Sequence, residues 1–330
     1  MTTFTAGPKL GLTASPTRTA IMNLLGLHHI TAIASDPRTN LDFYTRVLGL
    51  RFVKKSVNQD DPGTYHLYYG DYAGSPGTIL TFFPWAGIRV GRPGHGQAYA
   101  TAYSVPAGSL PFWQTRLARL GVKHGALETR FGEQVLTLFD PDGLRLELIA
   151  TAEPDPRAPA PSPEVPAASA LRGFHGTTLG LVEAQATSTL LTGTMGYRQV
   201  AQSGPRTRYT VAAGGPGTYV DLLTDPTLPR GLSGAGTIHH VAFRTPDDPA
   251  QETALATLES RGLAVSPVVD RAYFKSIYYR EPGGVLFEIA TDQPGFAIDE
   301  PVASLGTRLG LPPRLEPHRA EIEAALPPLR

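Results

Sequence analysis

Leu27-His28-His29-Ile30-Thr31 opens a run that closes in Val47-Leu48-Gly49-Leu50, and Phe174-His175-Gly176-Thr177-Thr178 opens one that closes in Thr194-Met195-Gly196-Tyr197. The two runs share one offset, since His29 and Gly49 each stand 147 residues before Gly176 and Gly196. A second pair of runs, Gly96 to Ala150 and Gly236 to Ala290, matches Asp140-Pro141-Asp142-Gly143 and Glu147 to Glu281-Pro282-Gly283-Gly284 and Glu288. Self-similarity at this spacing marks repeated supersecondary units. The chain therefore carries four half-units of two kinds.

Each half-unit starts with a short alternating strand such as His29-Ile30-Thr31-Ala32-Ile33. In the first, Asp36-Pro37 predicts a helix N-terminus, Leu41, Tyr44, Val47 and Leu48 recur with helical spacing, and Gly49 suits the residue past its end. Segments such as Thr64–Tyr69 and Thr78–Phe83 then read as strands. The expected class is α+β: four βαβββ modules in two domains, with paired sheets enclosing a cavity. Modules one and two fill an N-terminal domain over 24–150, and modules three and four a C-terminal domain over 172–292. Prolines 154, 156, 159, 161, 163 and 166 make 151–171 an extended linker. Residues 1–23 read as a disordered lead and 293–330 as a tail with a helix.

The 330 residues fit two domains at roughly 150 residues each. With 29 basic and 29 acidic residues there is no net positive field for phosphates or anionic lipid, so nucleic-acid and membrane-surface partners are not expected. No apolar run approaches the ~18 residues of a membrane span, and a cytoplasmic location is expected. Cysteine is absent, which excludes disulfides, thiolate metal sites and cysteine nucleophiles and leaves His, Asp and Glu as the strong ligands. Assembly into a homo-oligomer is left open.

Two histidine doublets, His28-His29 and His239-His240, fall at equivalent places on the first strands of modules one and four. Glu288 sits in an apolar strand, where a carboxylate is costly to bury unless paired, protonated or bound to a cation. At the corresponding positions module one offers His29 and Thr81, module two Ala100 and Glu147, module three Gly176 and Asp221, and module four His240 and Glu288. Only modules one and four together give two histidines and one carboxylate, an arrangement suited to non-haem Fe(II) with one side open for substrate and dioxygen. One metal per chain is expected, with modules two and three forming a degenerate second cavity and Glu147 read as an acid facing solvent at a sheet edge. Thr31, two residues beyond His29, shares its face. His28 and His239 should point away from the cavity unless a bulge turns them, and Arg271 and Tyr278, seven apart, need not face one way.

At these residues the chain resembles the vicinal oxygen chelate superfamily, the glyoxalase/bleomycin resistance/dihydroxybiphenyl dioxygenase fold. It is most similar to its ring-cleaving dioxygenase branch that opens hydroquinones. The resemblance runs over about residues 24–328, through Leu27-His28-His29-Ile30-Thr31, Tyr65-His66-Leu67-Tyr68-Tyr69, Ile238-His239-His240-Val241, Asp270-Arg271-Ala272-Tyr273-Phe274 and Pro282-Gly283-Gly284-Val285-Leu286-Phe287-Glu288. It implies Fe(II), with Mn(II) as the alternative, on His29, His240 and Glu288. It further implies substrate-facing roles for Thr31, His239, Arg271 and Tyr278, with His28 adjacent. The implied reaction is extradiol-type cleavage of a small dihydroxylated aromatic ring with O2. Two rivals follow from the same fold: a glyoxalase-like isomerase or lyase, which needs a second carboxylate where Thr81 stands, and a metal-free drug-binding protein, which leaves the triad unexplained.

Overall fold

Asp36 ends the first strand and starts the first helix: its carboxylate accepts the amide of Thr39 at 2.7 Å, with Pro37 at the first helical position. The helix finishes in a wider π turn over Phe43–Val47, and Gly49 follows with φ +73°. A Cβ at Gly49 would stand 2.7 Å from Val165, so this turn requires glycine and fixes where the Pro-rich segment crosses it. The computed structural model describes residues 21–151 and 155–329. The lead expected over 1–23 lies outside the described residues as far as residue 20; Met22 is buried and its amide donates to Thr194 at 2.9 Å.

Module one comprises β1 (Leu27–Ala34), α1 (Pro37–Asp42), β2 (Arg51–Asn58), β3 (Asp61–Gly70) and β4 (Ile79–Pro84). Module two comprises β5 (Gln97–Pro106), α2 (Leu110–Arg119), β6 (His124–Arg130), β7 (Glu133–Phe139) and β8 (Arg145–Thr151). Module three repeats the order with β9 (Gly173–Leu181), α3 (Gln185–Gly193), β10 (Arg198–Ser203), β11 (Arg206–Thr210) and β12 (Tyr219–Thr224). Module four has β13 (Thr237–Thr245), α4 (Asp248–Ser260), β14 (Val269–Asp270), β15 (Phe274–Arg280) and β16 (Leu286–Pro294). The tail adds β17 (Leu309–Gly310) and α5 (Arg319–Ala325).

The chain is α+β, and its modules pair as the ligand types require. One nine-stranded sheet runs β14-β15-β16-β13-β1-β4-β3-β2-β17, joining module four to module one; an eight-stranded sheet runs β10-β11-β12-β9-β5-β8-β7-β6, joining three to two. A large apolar core links the two sheets and their helices, joining Ile30, Tyr44 and Val241 of the first to Tyr103, Leu148 and Leu222 of the second. A smaller cluster around Val53, Phe274 and Phe296 supports the other side of the nine-stranded sheet.

The Pro-rich segment is held along the surface instead of hanging free. Val165 is buried, Trp113 Nε1 donates to the Ser169 carbonyl at 2.8 Å, and Arg157 reaches the Phe174 carbonyl at 2.7 Å. The tail returns to module one: β17 pairs in parallel with β2, and the buried Lys54 ammonium lies 2.5 Å from Glu300 and 2.6 Å from Asp299.

Candidate metal centre

Strand register alone brings the triad together. His29 pairs with Ala242 across β1 and β13, and Ala242 pairs with Glu288 across β13 and β16, so His29 and Glu288 lie in one row of the sheet. His240 pairs with Thr31 in the next row on the same face, because side chains two apart point the same way. His240 Nε2 lies 2.9 Å and His29 Nε2 3.3 Å from Glu288 Oε2, and the two Nε2 atoms are 3.4 Å apart.

All three residues are buried, and Glu288 Oε2 has no hydrogen-bond donor. Its other oxygen accepts from Ser276. Burial by itself pushes the Glu288 carboxyl up, but the adjacent His29 and His240 outweigh it and hold the group well below the usual carboxylate range. Burial pushes His240 down, against the opposing pull of Glu288. Each Nδ1 is already engaged by the preceding histidine, at 2.9 Å from His28 to His29 and 2.8 Å from His239 to His240. Such a contact leaves Nε2 of the second histidine for a ligand and fixes the ring. A buried oxygen without a donor, facing two Nε2 atoms with all three ligand atoms within 4.8 Å of one another, fits a divalent cation and is costly without one.

His29 and His240 line one wall of a cavity of about 270 Å³, with Glu288 buried behind them. Phe83, Trp85 and Phe274 supply flat apolar faces, while His66, Arg271 and Tyr278 supply polar groups. Tyr278 pairs with Glu288 across β15 and β16 and so enters from the same face, and Arg271 Nε donates to its hydroxyl at 3.1 Å. The two residues that need not have faced one way are thus hydrogen-bonded to each other. Burial raises the Tyr278 pKa, keeping the phenol protonated at neutral pH.

The doublets part company. His239 lines the cavity beside His240, whereas His28 lies behind His29, buried against Phe274 with ring centroids 5.0 Å apart. The register of β1 and β13 shifts at the first histidine of each doublet, skipping His28 in β1 and His239 in β13. Burial lowers both His28 and His239 to a pKa of about 3, so they act as neutral partners of the second histidines. Thr31 shares the face of His29 but spends its hydroxyl on Thr81, at 2.8 Å.

Sequence reasoning assigned no role to His66. It stands at the centre of a relay in which Tyr68 Oη meets Nδ1 at 2.7 Å, Nε2 meets Thr81 Oγ1 at 2.8 Å, and Thr81 meets Thr31. Its signal was the alternation in β3, where Tyr65, Leu67 and Tyr69 enter the core while His66 faces the cavity.

Glu147 corrects an expectation. It does not face solvent but is buried, with Arg130 on both carboxylate oxygens at 2.7 and 3.2 Å and Arg145 at 3.2 Å. Asp221 is held by Arg208 at 2.8 Å, and Glu133 by Arg208 at 2.6 Å and His175 at 2.9 Å. Where modules one and four leave ligand atoms open, modules two and three carry arginine–carboxylate pairs.

Comparison with known proteins agrees with this architecture. The Glyoxalase/Bleomycin resistance protein/Dioxygenase superfamily matches residues 26–148 and 174–289. A Bacillus subtilis protein named "Putative ring-cleaving dioxygenase MhqO" is 48% identical over 304 residues, 92% of this chain and 96% of that protein. The chlorohydroquinone/hydroquinone 1,2-dioxygenase of Sphingobium indicum is 35% identical over 306 residues, 90% of this chain and 94% of that enzyme. A crystal structure from Bacillus subtilis, described as a "putative dioxygenase", superposes with a TM-score of 0.89 at 47% identity, covering 94% of this chain and 99% of that one. With both half-chains matched and the fold shared, the chain belongs to the Glyoxalase/Bleomycin resistance protein/Dioxygenase superfamily.

Proposed function

We propose that this protein is a metal-dependent dioxygenase that opens the ring of hydroquinones and related dihydroxylated aromatics next to a hydroxyl, in the extradiol manner, using O2. His29, His240 and Glu288 hold Fe(II), with Mn(II) as the alternative metal. The observation that carries the reading is the donor-free Glu288 Oε2 facing two imidazole Nε2 atoms in the wall of a cavity with aromatic faces. The names of the relatives support the ring-cleaving class and the hydroquinone substrate.

Bound there, the metal lowers the pKa of a ring hydroxyl and couples electron flow between ring and dioxygen. The chain's own residues do the rest. Phe83, Trp85 and Phe274 accept the faces of a flat ring and exclude water from it. Tyr278, kept protonated by burial, donates a hydrogen bond to the reacting oxygen, and Arg271 orients that phenol while offering positive charge. His239 presents a neutral imidazole beside His240. The Tyr68-His66-Thr81 chain supplies a route by which the cavity can exchange a proton.

A glyoxalase-like isomerase needs a second carboxylate at the site, and Thr81 with its hydroxyl bound to His66 occupies that place. A metal-free binding protein gives no reason to bury a carboxylate oxygen without a geometric hydrogen bond against two imidazole Nε2 atoms. Mass analysis of the product separates these: Fe(II)-loaded protein given hydroquinone in air should yield an acyclic product heavier than the substrate by one dioxygen. A product of unchanged mass, or intact hydroquinone, would contradict the proposal.

A further inference from the structure

Behind the histidine pair lies a second cleft of about 570 Å³ that shares His239, His240 and Leu286 with the metal cavity. Its charged and titratable walls are basic: Arg280, Arg230 and His95 line it, and among the described residues no Asp or Glu does. Arg280 pairs with Leu286 across β15 and β16, two residues beyond the Tyr278–Glu288 pair and on the same face. That offset is about 7 Å along the strand, the length of two residues. Arg230 comes from the opposite side, in a loop bridged to His95. The two loops are packed backbone to backbone, since a Cβ on Gly94 would stand 2.1 Å from the Pro229 carbonyl oxygen.

We propose that this cleft is a subsite for the carboxylate of the ring-opened product. The identity of the ligand rests on the ring-cleavage reading above. A hydroquinone enters neutral; adding both atoms of O2 while one ring bond breaks beside a hydroxyl leaves an acyclic acid, which loses its proton at neutral pH. Product differs from substrate by one negative charge, and the cleft beside His240 presents to it the guanidinium of Arg230 and that of Arg280, which also donates to the Gly284 carbonyl at 2.9 Å. It draws the acid away from the metal cavity and leaves the aromatic faces free for the next ring.

Calorimetric titration of the metal-loaded protein with cis,cis-muconate, an acyclic six-carbon carboxylate, tests this. The paired substitution Arg230→Ala with Arg280→Ala should weaken muconate binding by about tenfold or more, while Arg198→Ala, a change on the other sheet, should not. Unaltered affinity in the paired variant would overturn the subsite, as would binding of the carboxylated ring 2,5-dihydroxybenzoate without binding of muconate. The titration needs no turnover. Arginine-dependent muconate binding by a protein that opens no ring would keep the carboxylate subsite and remove only the ring-cleavage reading.

Discussion

Tyr278 stands directly opposite Glu288 in the antiparallel ladder of β15 and β16, so the two side chains leave the sheet on one face, where Tyr278 lines the cavity alongside His29 and His240. The ladder sets a proton donor beside the triad without placing it among the ligands. Tyr278→Phe should therefore retain the metal but slow turnover by ~10²–10⁴, the range for a lost acid/base group. Metal analysis and steady-state kinetics check this, and a wild-type rate would remove Tyr278 from the chemistry.

Glu288→Ala, His29→Ala and His240→Ala should each leave a folded chain with little bound metal. For the unaltered protein, Fe(II) at a hundredfold excess over its dissociation constant should add about 2.7 kcal/mol of stability, seen as a rise in Tm that a chelator reverses. A Tm indifferent to metal in the unaltered protein would argue against the site.

His239 is more accessible than His28 and touches His240 only through Nδ1 contact and ring edge. His239→Ala should weaken metal affinity by roughly 10–100-fold, the usual cost of losing a partner that orients a ligand histidine, with little change in the Tm of the metal-free protein. Competition with a chromophoric chelator measures the affinity.

The buried Lys54 clamps the tail to module one through Glu300. Lys54→Met should cost about 3–5 kcal/mol, because it removes the buried counter-charge of Glu300 and leaves that carboxylate only hydroxyl and amide donors. Burial raises the Glu300 pKa, but Lys54 together with the amides of Arg308 and Gly306 outweighs it and leaves the carboxyl below its ordinary value. A folded-state pKa below the unfolded one gives stability that is present above pH ~4.3 and lost as pH falls through the lowered value. Denaturant titrations across that window should show a shallower acid limb in the variant.

The repeats were readable because glycines and doublets recur at fixed offsets, and the triad because two histidines and a glutamate fall on first and last strands of matching modules. Pairing of module one with four then followed from residue type and agrees with the sheet order. Glu147 was misread because Arg130, which holds both its oxygens, becomes its neighbour only through the β6-β7-β8 pairing, although Arg145 stands two residues away on its own strand and face. His66 went unassigned for a related reason: its hydroxyl partners Tyr68 and Thr81 meet it through its own strand and the one beside it, and no metal-like spacing marks them. The register shifts at His28 and His239 were not legible either, because a bulge leaves no visible mark on strand alternation.

The central claim is that one open metal site brings ring and dioxygen together. An oxygen electrode combined with the ultraviolet absorbance of hydroquinone, read in the same cell with Fe(II)-loaded protein, tests it most directly. The account predicts that one O2 is consumed for each ring lost, and that the Glu288→Ala protein consumes neither. Ring loss without oxygen uptake, or full uptake by the Glu288→Ala protein, would contradict it.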